Sequence, residues 1–278
     1  MPITTYTIKE LKKKGKKITA LTAYDYPTAK LLDSCGIEII LVGDSLAQVV
    51  LGLDSTLQVT MDEMLHHAKA VIRGVNNALV VVDMPFLSYQ ISTEETIRNA
   101  GRFMQSGANA VKLEGASKNI IESIKRLTES GIPVMGHLGF TPQSVNNLGG
   151  NRIQSKTAKE ANNLFKDAQL LEDAGCFAIV LEMIPQEVAQ KITTYLSIPT
   201  IGIGAGINCD GQILVTDDLL GRFNDFVPSF VRKYAELYTI SEEAIKKYIN
   251  DVNSKQFPSD TESFVMNENE LEKLEKLK

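Results

Sequence analysis

Cysteine is scarce: Cys35, Cys176 and Cys209 are the only three in 278 residues. They form no C-x-x-C pair and no metal-ligand spacing, which argues against a disulfide framework and for a reducing compartment. Histidine is as rare, with His66 and His67 side by side and His137 alone. No apolar run approaches the ~18 residues of a membrane span, and the first residues are charged where a signal peptide would need an apolar core. A soluble, cytoplasmic protein is the expectation. Excess positive charge is missing too: a formal net charge of −5 and a pI near 5.4 leave no electrostatic footprint for nucleic acid or an anionic membrane. The one basic cluster, K-K-K-G-K-K at 12–17, follows Thr7 and Glu10 at capping-box spacing, so it is expected as the solvated end of a helix closed by Gly15.

What is present is a repeating pattern. With 44% hydrophobic and 23% charged residues the chain can build a substantial core. Short Val- and Ile-rich runs at 17–23, 38–43, 78–83, 109–114, 132–137, 176–182, 198–204 and 212–217 read as strands. Between them lie expected helices Met61–Val75 with Thr60 as N-cap, Glu94–Ser106, Lys118–Ser130, Ala158–Ala174 and Glu187–Leu196, several ending at Gly74, Gly107, Gly131 or Gly175. Strands that alternate with helices and are buried on both faces pair in parallel through right-handed crossovers. Eight such units in roughly 250 residues suggest a (β/α)8 TIM barrel. An open doubly wound sheet would place G-x-G-x-x-G after the first strand, and none is there. The glycines of G-I-G-A-G at 202–206 instead end the seventh strand, where a phosphate cradle, a tight turn or a close backbone approach would each require them. Helices are expected at 230–238 and at 242–252, the latter capped by Ser241. Leu271, Leu274 and Leu277 suggest a frayed terminal helix within 267–278. No linker divides residues 1–264, so one domain followed by a charged extension at 265–278 is expected.

In N-A-V-K-L-E-G at 109–115, Ala110, Lys112 and Glu114 fall on one face of a strand and Val111 and Leu113 on the other. A half-solvated strand would explain such a face, but strands buried on both sides would not. In a barrel, side chains at the C-terminal strand ends point into the mouth. Those residues here are Asp44, Ser45, Asp83, Lys112, Glu114, His137 and Glu182. Each has an ordinary reading: Asp after a strand is often a turn residue or N-cap, and His137 could be a core histidine. Together, four carboxylates converging on one cavity would repel unless a cation or protons relieved them. Lys112 supplies one charge, and an all-oxygen donor set points to Mg²⁺, or Mn²⁺, over Zn²⁺, with Asp44, Asp83 and Glu114 as candidate ligands. Glu182 lies in the apolar run A-I-V-L-E-M-I-P, surroundings that raise a carboxylate's pKa and suit a general base. The pattern describes cation-assisted proton loss beside the carbonyl of an α-keto acid or a similar chelator.

The chain resembles the ketopantoate hydroxymethyltransferase family from about Thr4 to Phe264. The resemblance is carried by T-A-Y-D-Y (22–26), L-V-G-D-S-L (41–46), D-S-T-L-Q-V-T (54–60), D-M-P-F (83–86), V-K-L-E-G (111–115), G-H-L-G-F-T-P-Q-S (136–144), L-E-M-I-P (181–185) and I-G-I-G-A-G (201–206). It implies a TIM barrel of the phosphoenolpyruvate/pyruvate type that binds Mg²⁺ and 3-methyl-2-oxobutanoate. It also implies 5,10-methylenetetrahydrofolate as cosubstrate, 2-dehydropantoate as product in pantothenate synthesis, and a homodecamer of two stacked pentamers. By motif, Asp44 and Asp83 are metal ligands, with Glu114 completing the site directly or through water. Asp44, Ser45, Asp83 and Lys112 contact the keto acid, His137 lies near it, and Glu182 is the proton acceptor. The loop 47–53, A-Q-V-V-L-G-L, departs from many relatives at 47 and near 53 without touching an assigned ligand. A carbon–carbon lyase of the isocitrate lyase type would want a reactive cysteine in a K-K-C-G-H-like loop, which is absent. A noncatalytic keto-acid-binding barrel would not need every candidate base and ligand.

Overall fold

The Val- and Ile-rich runs form strands because β-branched side chains fit a pleated sheet that is covered on both faces. The computed structural model describes residues 2–224 and 227–277. Eight parallel strands close into a barrel in sequential order: β1 (Ile18–Thr22), β2 (Ile39–Val42), β3 (Leu79–Asp83), β4 (Ala110–Glu114), β5 (Val134–Gly139), β6 (Ala178–Glu182), β7 (Thr200–Ile203) and β8 (Gly211–Leu214). Every strand lies within or beside its expected span. β8 stops earlier than its apolar run suggested, because the Thr216 N–H and hydroxyl turn back to Thr22 on β1 and the chain enters the helix Thr216–Leu220.

Alternation divides the apolar residues into two clusters. Inward positions such as Ile39, Leu41, Leu79, Val81, Ala110, Met135, Ala178 and Val180 fill the lumen. Outward positions such as Ile40, Val82, Val111, Leu113, Ile179 and Leu181 pack under the helices, against Phe103, Ile124 and Leu171 among others. The helix Thr5–Lys13 contributes Ile8, fully buried within the lumen cluster, while Lys12 pairs with Asp210 at 3.0 Å. Burying an isoleucine of this kind is worth about 1.5–3 kcal/mol.

The expected helices appear at Met61–Gly74, Thr93–Gln105, Lys118–Glu129, Ala158–Asp173 and Gln186–Tyr195. Some termini differ in their chemistry. The first helix is capped by Thr4 with Thr7, not by Thr7 with Glu10: Thr7 N–H donates to Thr4 Oγ1, and Thr4 N–H to Thr7 Oγ1. A hydroxyl at the third helical position does the reciprocal work usually given to Glu. Gly107, Gly131 and Gly175 have positive φ as helix terminators, but Gly74 is within its helix. A Cβ at Gly74 would press on the Tyr26 carbonyl and Ala29, so its smallness serves helix-to-helix approach.

Two compact units make up the chain: residues 1–219 with 227–232, which hold the barrel, and 220–226 with 233–278. The boundary expected after residue 264 falls inside the second unit. That unit carries the helices Leu237–Asn253 and Glu268–Glu275, neither with a buried residue. Residues 230–236 are not helical, and Ser241 lies inside the first of these helices rather than capping it. Nothing between Leu237 and Ser241 breaks a helix, so an N-cap-type residue there is simply enclosed. Lys278 lies outside the described residues. Among the described residues, no helix is long and apolar enough to cross a membrane.

Candidate active site

The strand register explains why Lys112 and Glu114 share a face. In parallel pairing, Asp83 on β3 sits beside Lys112 on β4, and Glu114 on β4 beside His137 on β5. All four are buried, as is Asp44, just beyond β2. Lys112 Nζ lies 2.7 Å from Asp83 Oδ1, and the Asp44 N–H donates to Asp83 Oδ2 at 3.1 Å. His137 bridges two carboxylates, with Nδ1 3.2 Å from Glu114 Oε1 and Nε2 3.1 Å from Glu182 Oε2. Ser45 is held by the Tyr24 hydroxyl at 2.8 Å. The seven predicted residues therefore meet at one end of the lumen.

Charges in this enclosure set one another's ionisation. Burial, then the charges of Asp83 and Glu114, push the Asp44 carboxyl up to about 8. Burial pulls Lys112 down, but Asp83, Glu114 and Asp44 outweigh it and hold the ammonium above its ordinary range. For Glu114 burial acts upward, and the His137 and Lys112 neighbours bring the net effect below the usual carboxylate range. Burial and Lys112 oppose the His137 cation, while the Glu114 and Glu182 carboxylates beside its two nitrogens carry it up to about 9. The apolar setting expected for Glu182 is only half present: its outward neighbours on β6 are apolar, but the register turns its carboxylate to the imidazole inside.

Do these groups suit a divalent cation? Asp44, Asp83, Glu114 and Glu182 outnumber the cations Lys112 and His137, and the Asp83 Oδ1 atom, though ion-paired, has no aligned hydrogen-bond donor. Both features match a site that receives further positive charge, and the oxygen donors match Mg²⁺. Among the described residues, no three His, Cys, Asp or Glu side chains are grouped as a ready-made metal cage. Glu114 has one oxygen on His137 and the other accepting the Gln143 N–H at 3.0 Å, while Asp83 is engaged by Lys112 and the Asp44 N–H, and Asp44 by Gln143. These carboxylates could hold Mg²⁺, which needs only one or two of them beside water and substrate.

Three contributors were not singled out by sequence reasoning. Tyr24 supports Ser45, Gln143 Nε2 donates to Asp44 Oδ2 at 2.9 Å, and the Tyr89 hydroxyl accepts the Glu114 N–H at 3.2 Å. Tyr24 and Gln143 stand inside the quoted motifs T-A-Y-D-Y and G-H-L-G-F-T-P-Q-S, which was the only available signal. Tyr89 follows a loop turn with no periodicity to mark it. Behind Glu182 the backbone is tightly held: Phe140 N–H donates to the Glu182 carbonyl at 2.8 Å, and Gly139 (φ +94°) is the residue where a Cβ would collide with that carbonyl. The glycines at 202–206 serve close approach: Gly204 (φ +60°) packs under the Phe230 ring, and a Cβ on Gly206 would meet Gln186. His67 is structural, its Nδ1 2.7 Å from the Tyr24 carbonyl.

Solved structures share the fold at low identity. Phosphonopyruvate hydrolase in complex with oxalate and Mg²⁺ is 11% identical, with a TM-score of 0.62 over 99% of this chain and 95% of that one. 2,3-Dimethylmalate lyase, of the PEP mutase/isocitrate lyase superfamily, is 16% identical with a TM-score of 0.61 over the same shares. The family model for ketopantoate hydroxymethyltransferase matches residues 2–260. The 3-methyl-2-oxobutanoate hydroxymethyltransferase of Syntrophus aciditrophicus is 57% identical over 95% of this chain and 97% of its own length. That of Clostridioides difficile is 55% identical over 99% and 100%. With a match spanning the whole barrel and relatives more than half identical, the chain is an enzyme of the ketopantoate hydroxymethyltransferase family.

Proposed function

We propose that the chain transfers a one-carbon unit from 5,10-methylenetetrahydrofolate to 3-methyl-2-oxobutanoate, with water, giving 2-dehydropantoate and tetrahydrofolate, a step of pantothenate synthesis in the cytoplasm. The observation that carries this reading is the arrangement of Glu182. Its side chain is 15% exposed against 4% for Asp83 and Glu114, so it is the carboxylate an entering substrate meets. Asp44 and Asp83 would hold Mg²⁺, with Glu114 contributing through water. Bound there, the cation would polarise the keto carbonyl and offset charge on the enolate.

The protein's own groups do the rest. Glu182 accepts the proton from carbon 3, while the His137 ring, its Nε2 3.1 Å from Glu182 Oε2, fixes the carboxylate's position. Lys112, locked to Asp83, and Ser45, held by Tyr24, position the polar head of the keto acid. Loss of the proton leaves carbon 3 nucleophilic toward the methylene carbon of the folate. General-base catalysis of this kind contributes about 10²–10⁴-fold. The family's decameric assembly belongs to the same proposal. Incubating the purified protein with both substrates and Mg²⁺ should release tetrahydrofolate, and a chelator should stop it. No release with folded, metal-loaded protein would end this reading.

A further inference from the structure

We infer that Gln143 is a positioning residue for the cation-binding carboxylates and that the Tyr89 hydroxyl holds its amide in place; the inference rests on the Mg²⁺ reading above. Gln143 is buried in the turn Pro142–Ser144, just past β5. Its Nε2 donates to Asp44 Oδ2 and to the Met84 carbonyl, each at 2.9 Å. Its Oε1 accepts from the Tyr89 hydroxyl at 2.8 Å and from Gln90 Nε2 at 3.3 Å. With the backbone N–H on Glu114 Oε2, one residue ties together carboxylates from the ends of β2 and β4, strands that are not neighbours.

The Met84 carbonyl, which can only accept, fixes which way the amide faces: Nε2 donates to it at 2.9 Å, and Oε1 is left to accept the Tyr89 hydroxyl proton while the Tyr89 oxygen takes the Glu114 N–H. Both amide hydrogens are then directed at Asp44 and Met84. A flipped amide would set Oε1 against the Met84 carbonyl, acceptor facing acceptor, and Nε2 against Gln90 Nε2, donor facing donor. Asp44 is buried beside Asp83 and Glu114, and Gln143 Nε2 is the side-chain donor that holds its Oδ2 in place. Losing the hydrogen-bond partner of a ligating group costs about 10–100-fold in metal affinity.

Gln143→Met keeps length and removes the amide, and Tyr89→Phe removes only the hydroxyl. Free Mn²⁺ would be measured by electron paramagnetic resonance in titrations of wild type and both variants without substrate, beside thermal melts. Mn²⁺ affinity should fall about 10–100-fold in Gln143→Met and by a smaller factor in Tyr89→Phe, with cooperative melting kept. The apparent KM for Mg²⁺ should rise more than kcat at saturating Mg²⁺ falls. Wild-type affinity in Gln143→Met overturns the inference. If that variant does not fold, Tyr89→Phe decides alone: weakened binding supports the inference and unchanged binding overturns it. Failure of wild type itself to take up Mn²⁺ removes the Mg²⁺ reading, and this inference with it.

Discussion

The lower and upper halves of the barrel lumen are made by the same strands and the same alternation, but they hold opposite chemistry. On β3 the inward series runs Leu79, Val81, Asp83; on β4, Ala110, Lys112, Glu114; on β6, Ala178, Val180, Glu182. Each begins apolar and ends charged. Near the floor, Ile8 and its neighbours gain stability by leaving water, with the Lys12–Asp210 pair part-buried beside them. At the mouth, buried carboxylates outnumber the cations Lys112 and His137, an arrangement that costs stability. Floor residues should therefore change stability without changing catalysis, and mouth residues should change catalysis whatever they do to stability.

Lys112→Met is the most severe way to probe this contrast. It strands Asp83 among buried carboxylates, and removing one partner of a buried pair costs about 3–5 kcal/mol. Turnover should be lost as well, and denaturant melts beside the two-substrate assay would read both. Ile8→Ala should cost about 2–5 kcal/mol in the same melts and leave KM and kcat unchanged at a temperature where the variant is folded. A large rise in KM there would blur the division between floor and mouth.

A smaller effect is expected at Asp33, which accepts the N–H groups of Asn76, Asn77 and Ala78 ahead of β3. Burial pushes this carboxyl up, but those donors hold it below the usual range. A depressed folded-state pKa contributes stability above the unfolded value, about 3.9, that is lost as pH falls through the folded value. Asp33→Asn should lose about 1–3 kcal/mol at neutral pH and show a shallower acid destabilisation than wild type. Smallest of all, removing residues 265–278 should shift stability by no more than about 0.5 kcal/mol, since no described residue of the helix Glu268–Glu275 is buried.

The barrel was legible because its signals are periodic. Apolar runs and the glycines after helices repeat, and a cavity can be read as the set of strand-end side chains. Asp83, Lys112, Glu114, His137 and Glu182 were found by that rule alone. Sequence said less about the contacts that hold them. Gln143 and Tyr89 stand on turns, where no period says which way a side chain points, and their role depends on proximity to Asp44 and Glu114 across the fold. The imidazole against Glu182 was missed for a related reason: the run A-I-V-L-E shows the neighbours along β6, whereas the partner comes from β5. Thr7 misled because hydroxyl and carboxylate caps share one spacing, and Ser241 because a good N-cap does not begin a helix already under way.

Solvent deuterium exchange into carbon 3 of 3-methyl-2-oxobutanoate, with Mg²⁺ and without folate, isolates proton removal at the barrel mouth. Wild type should exchange, a chelator should abolish the exchange, and Glu182→Gln should slow it by about 10²–10⁴-fold while melting as wild type does. Exchange at the wild-type rate in folded Glu182→Gln would contradict the account.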